Sequence, residues 1–111
     1  MTAACPSCGA PLPAQRLEVR DVGIVLAPPS QESEGLMAWA RIRLGPLIVS
    51  GLAVRRTGAG AITVTYPARK DQRGTLHREV TVADPDLDRL IRVAVIAEYL
   101  EQRRRAGRAR P

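Results

Sequence analysis

Between residues 36 and 44 apolar and polar positions alternate, with Leu36, Ala38, Ala40, Ile42 and Leu44 set against Met37, Trp39, Arg41 and Arg43. A period of two places each set on its own face of an extended chain, so this segment predicts a half-buried strand. Gly45-Pro46 is a turn signal, and Leu47 to Arg56 is expected to fold back antiparallel. Upstream, Leu17, Val19, Asp21 and Val22 through Leu26 predict a first strand, stopped by Pro28-Pro29 and the polar stretch Ser30 to Glu34. Downstream, Gly58 and Gly60 mark a turn, and Ile62, Val64 and Tyr66 alternate with Thr63 and Thr65 in a fourth strand ended by Pro67. Thr75 to Val82 is a fifth candidate with a weaker period.

The pattern then changes to a helical one. Leu87, Leu90, Ile91, Ala94 and Ala97 recur at helical spacing, and Val93, Ile96 and Leu100 widen the stripe. Asp84 is a good N-cap, Pro85 suits the first helical position, and Asp86 and Asp88 place negative charge at the positive end of the helix dipole. Arg103 to Arg105 fall near the opposite end, and Gly107 is expected to stop the helix. The fold class is therefore α+β, an antiparallel meander sheet followed by one C-terminal amphipathic helix. One helix covers one face of such a sheet. Trp39, Met37, Ile48 or Leu52, depending on register, would be left on the other, which predicts a sheet-mediated homodimer. Three regions follow: a Cys- and Pro-rich preface (1–16), the sheet-plus-helix domain (17–102) and an Arg-rich tail (103–111).

Composition adds the chemistry. A chain of 111 residues fits one domain with a modest core. Its formal charge is +6, from 17 basic and 11 acidic residues. Arg103, Arg104, Arg105, Arg108 and Arg110 supply five of those charges, so without them the body is left at about +1 and the basicity is local. A second basic cluster, Arg69, Lys70 and Arg73, sits in the loop from Pro67 to Gly74. Either cluster could contact successive phosphates, the interaction that dominates nucleic-acid affinity; the loop could equally be a solvated turn, and the tail an ordinary basic helix end. The longest unbroken apolar run, Val93 to Ala97, is far too short to cross a bilayer, and no apolar region follows the N-terminus. A soluble, cytoplasmic protein with no membrane partner is expected. With no Phe, one Trp and two Tyr, the chain cannot assemble the aromatic platforms that bind single strands, so duplex or structured nucleic acid fits better.

Cys5-Pro6-Ser7-Cys8-Gly9 has the form of half a zinc knuckle, two thiolates two residues apart in a Pro/Gly turn. A closed zinc site needs four ligands, and His77 is the one other plausible ligand here. Cys5 and Cys8 from two copies could complete the set, or the two cysteines could be an unliganded leader. A redox role fits less well, because Gly9 to Pro13 cannot open the helix that lowers a thiol pKa. No serine, cysteine or histidine arrangement marks a nucleophile, which predicts neither an enzyme nor a small-molecule substrate.

From about Leu17 to Tyr99 the chain resembles the stage V sporulation protein G family of small bacterial septation and sporulation regulators. The likeness is carried by Leu47-Ile48-Val49-Ser50-Gly51-Leu52-Ala53-Val54, Ile62-Thr63-Val64-Thr65-Tyr66-Pro67-Ala68-Arg69-Lys70, Gly74, Arg78-Glu79-Val80 and Glu98-Tyr99. Order and spacing agree over about three quarters of the chain. The resemblance implies an antiparallel sheet with a C-terminal helix, a homodimer, and sequence-selective DNA or RNA binding in gene regulation. By position, it places Arg69 and Lys70 as the basic pair after the strand-ending proline, with Arg73 and Arg78 in the adjoining basic segment.

The sequence thus predicts a non-enzymatic dimeric regulator that holds DNA or RNA phosphates with Arg69, Lys70, Arg73, Arg78, Arg103, Arg104, Arg105 and Arg108. The alternative is a zinc-linked protein-interaction module built on Cys5 and Cys8.

Overall fold

Strands β1 (Val19–Leu26), β2 (Leu36–Leu44), β3 (Leu47–Arg56) and β4 (Ile62–Thr65) form one antiparallel sheet in the order β1-β2-β3-β4. A computed structural model of the chain describes residues 18–32 and 34–109, with side chains as far as 107. A single turn of helix, α1 (Pro29–Glu32), separates β1 from β2. Strands β5 (Ala68–Lys70) and β6 (Leu76–Arg78) make a separate hairpin, and α2 (Pro85–Ala109) closes the chain. The α+β meander with a C-terminal helix is therefore the observed architecture.

The alternation in β2 sets the two faces of the sheet. Ala38, Ala40, Ile42 and Leu44 are buried and pack with Leu52, Val54 and Val64 of the neighbouring strands and with Ile91, Val95 and Tyr99 of α2. Trp39, Arg41 and Arg43 are exposed on the opposite, outer face. Met37 departs from the predicted alternation and is 1% exposed. The cause is a bulge: β2 pairs Leu36 with Arg55 but Ala38 with Val54, so Met37 is an extra residue free to turn into the core. Two further bulges bend the sheet. Ser50 and Gly51 oppose Arg41 alone, with Gly51 at φ +83°, and Asp21 and Val22 oppose Ile42 alone, with Asp21 at φ +51°. Glycine and aspartate are residue types that accept the left-handed region.

α2 begins as predicted. Asp84 Oδ1 accepts a hydrogen bond from the Asp86 amide at 3.0 Å, and Pro85 opens the first turn. It does not stop at Gly107. That residue lacks the positive φ of a helix-ending glycine, and α2 runs to Ala109. One glycine inside a helix costs only about 1 kcal/mol against alanine, which flanking Arg and Ala residues offset. Arg108 therefore lies within α2 together with Arg103, Arg104 and Arg105. The predicted fifth strand shortens to β6, while β5 lies inside what the sequence presents as a basic loop.

Candidate nucleic-acid interface

The β5–β6 hairpin is organised by one acid. Asp71 Oδ1 accepts hydrogen bonds from the amides of Arg73 and Thr75, each at 2.9 Å, and the Asp71 amide donates to the Thr75 carbonyl at 3.0 Å. Gly74 completes the turn at φ +80°. The second carboxylate oxygen lies 2.8 Å from His77 Nε2. The imidazole first, and then the Thr75 amide, hold the Asp71 carboxyl below its ordinary pKa. Asp71 is thus occupied with the turn, while the side chains of Arg69, Lys70, Arg73 and Arg78 have no ion-pair partner among the described residues. Strand pairing divides them. Arg69 shares one face of the hairpin with His77, and Lys70 and Arg78 share the other with Leu76.

That second face looks toward the outer face of the main sheet. Between them lies a cleft of about 650 Å³ lined by Trp39, Ala53, Arg55, Thr65, Leu76 and Arg78. Its lining combines the apolar Trp39, Ala53 and Leu76 with the cationic Arg55 and Arg78. Trp39, 43% exposed, stands between Val25 and Ala53 in the cross-strand row, and Arg55 lies opposite Thr63. Arg41 extends this surface along β2 with no acid partner among the described residues, whereas Arg43 reaches Asp21 only at 3.5 Å.

A brace fixes the helix start to the β4 edge beside this cleft. The Tyr66 hydroxyl donates to Asp88 Oδ1 at 2.5 Å, and Arg92 Nε donates to both Asp88 oxygens at 3.1 and 3.0 Å. Arg92 Nη1 donates to the Val64 carbonyl at 2.5 Å, and its guanidinium stands 5.4 Å from the Tyr66 ring centroid. Burial, and then Asp88, push the Tyr66 phenol far above its usual range; Tyr66, and then Arg92, hold the Asp88 carboxyl down. Asp88, which the sequence presents as part of the helix-start charge, is a tertiary tie. Its helical spacing to Arg92 was visible in the sequence, but its link to Tyr66 was not.

The helix-end arginines are more engaged than their run implies. Arg103 Nη1 donates to the Tyr99 hydroxyl at 2.7 Å, Arg104 Nη2 donates to both oxygens of Glu101 at 2.8 and 2.6 Å, and Arg105 Nε lies 3.4 Å from the same carboxylate. The side chain of Arg108 lies outside the described residues. The near-neutral body inferred from summed charge hides a partition that a segment-by-segment count would have found. Residues 36–78 hold eight basic residues (Arg41, Arg43, Arg55, Arg56, Arg69, Lys70, Arg73 and Arg78) against Asp71 alone, and the excess acid lies in the flanking segments.

Cys5 and Cys8 lie outside the described residues, and among the described residues no group of three His, Cys, Asp or Glu could hold a metal. No described helix is long and apolar enough to cross a membrane. No family model and no curated protein sequence matches the chain. The likeness to the stage V sporulation protein G family rests on the residues quoted above.

Proposed function

We propose that this protein is a non-enzymatic, dimeric nucleic-acid-binding regulator acting in the cytoplasm, and that it holds the phosphates of duplex or structured DNA or RNA. The observation that carries this reading is the unbalanced charge of residues 36–78, whose one acid is occupied by a turn and the nearby histidine. Arg41, Arg55, Arg69, Lys70, Arg73 and Arg78 keep their charge free for a polyanion, and backbone phosphate is the commonest polyanionic ligand that such a surface fits. The principal grip is then the outer sheet face and the β5–β6 hairpin, with the α2 arginines as a secondary contribution. The family resemblance supports the same pair, Arg69 and Lys70.

The sole tryptophan makes the reading directly testable. Trp39 lies on the cleft, so its fluorescence reports occupation of that surface without a label. Titration with duplex DNA and with a hairpin RNA at about 50 mM salt should give saturable binding that weakens steeply as salt rises. No binding of either nucleic acid under those conditions would remove the proposal.

A further inference from the structure

α2 carries two apolar faces. Leu87, Ile91, Val95 and Tyr99 look into the core. On the opposite side Leu90, Val93, Ala97 and Leu100 form a second stripe open to solvent, with Leu90 57%, Val93 61% and Leu100 53% exposed. Single exposed apolar residues are ordinary on a protein surface. These four, however, are spaced by three, four and three residues, the repeat of a helix-to-helix seam.

We infer that this stripe is a self-association seam on which α2 of a second copy lies antiparallel. The end residues select both the occupant and its direction. Asp86 stands four residues before Leu90 and Arg104 four after Leu100, so the stripe runs acid, four apolar positions, base. A two-fold axis crossing the solvent-facing stripe at the axial level of residue 95 brings Leu90 against Leu100 of the second copy, Val93 against Ala97, and Asp86 against Arg104. Every layer is then complementary, and the smaller central residues allow close approach of the helices. A parallel pairing would instead set Asp86 on Asp86 and Arg104 on Arg104, which repel. From Asp86 to Arg104 the seam is about 27 Å long at 1.5 Å per residue. Glu101, the partner of Arg104 within one chain, also lies within reach of Arg105 and keeps that cation when Arg104 turns outward.

The seam gives the dimer of the proposed function a helix-mediated contact in place of the sheet-mediated one predicted from the sequence, yet it stands on α2 alone and needs no nucleic acid. It leaves both outer sheet faces open. Two cationic surfaces on one particle would raise avidity for a long polyanion without any new contact.

Light scattering and sedimentation of the full chain under reducing conditions test the seam. The parent should be dimeric at tens of micromolar. Leu90→Glu with Leu100→Glu should weaken association at least about tenfold, because it buries unpaired carboxylates in an apolar contact. Circular dichroism should be unchanged, since neither residue faces the core. Orientation is read separately by disulfide trapping in a Cys5→Ser, Cys8→Ser background. Val93→Cys protein mixed with Ala97→Cys protein should cross-link as the heterodimer. A monomeric parent, a dimer indifferent to the double Glu variant, or exclusive 93–93 and 97–97 cross-links would each overturn the inference. Nucleic-acid binding by the monomeric variant, measured through Trp39, would still report on the proposed function independently.

Discussion

Arg103 Nη1 donates a hydrogen bond to the hydroxyl of Tyr99 across 2.7 Å, one helical turn apart, and Tyr99 itself is 1% exposed. Part of what reads as an arginine tail is therefore holding a buried phenol. Arg103→Ala removes the partner of that hydroxyl, and a buried polar group without one costs about 1–3 kcal/mol; the lower end applies here because the guanidinium is largely solvated. Tyr99→Phe, which leaves a solvated arginine and no orphaned hydroxyl, should cost less. Urea denaturation of both variants measures the difference, and equal stability of Arg103→Ala and the parent would show the bond to be incidental.

The Tyr66–Asp88–Arg92 brace predicts a pH signature. Asp88 has its carboxyl pKa lowered in the folded protein, so its ionised form stabilises the fold. That contribution is complete above the unfolded value of about 4 and is lost as pH falls through the lower folded value. Asp88→Asn should cost about 1 kcal/mol at neutral pH, a hydrogen-bond-sized loss from a partly solvated site. Below about pH 4 the gap between variant and parent should narrow. Denaturation curves from pH 7 to pH 3 decide it, and a gap that stays constant would exclude the linkage.

At the hairpin tip, two substitutions of Asp71 separate charge from geometry. Asp71→Asn keeps an oxygen that can accept the Arg73 and Thr75 amides but removes the one negative charge among residues 36–78. Tighter binding of duplex DNA at low salt is expected with the hairpin intact. Asp71→Ala loses the oxygen that accepts both amides, and the Thr75 amide should exchange faster by nuclear magnetic resonance. Weaker binding by Asp71→Asn would mean that the carboxylate itself contributes to recognition, against the polyanion reading.

The main elements of this fold were legible because local rules and tertiary packing agree there. The two-residue period of Ala38 to Leu44 and the Asp84-Pro85 start of α2 each follow from one segment alone. What escaped depends on pairing. Met37 is buried because β3 is one residue out of step, a fact no period within β2 contains. Residues 68–70 become a strand only because residues 76–78 return beside them. For α2, merging all apolar positions into one stripe concealed that Leu90, Val93, Ala97 and Leu100 face away from Leu87, Ile91, Val95 and Tyr99. At the site, total charge was the wrong sum: of the acids outside residues 36–78, Asp21 alone forms an ion pair with a cation of that segment, Arg43, among the described residues, so the others cancel those cations only on paper.

That charge geography yields the most discriminating experiment. Each phosphate contact contributes about 0.9 to the slope of log affinity against log salt for duplex DNA. Replacing Arg41, Arg55 and Arg78 with alanine should therefore flatten the slope by up to ~2.7 per chain if all three engage, or ~5 for a dimer that uses both faces. Thermal stability should hardly change, because these side chains are exposed and free of ion pairs among the described residues. The matching replacement of Arg103, Arg104 and Arg105 should behave in the opposite way. Its slope change should be smaller, since these groups are already engaged by Glu101 and Tyr99, and its stability loss larger, since Tyr99 loses its partner. Salt titrations of the two triple variants by Trp39 fluorescence, with melting curves alongside, give both quantities. If the helix-end triple flattens the slope more than the sheet-face triple, the phosphate grip lies at the end of α2 and the outer face needs another ligand.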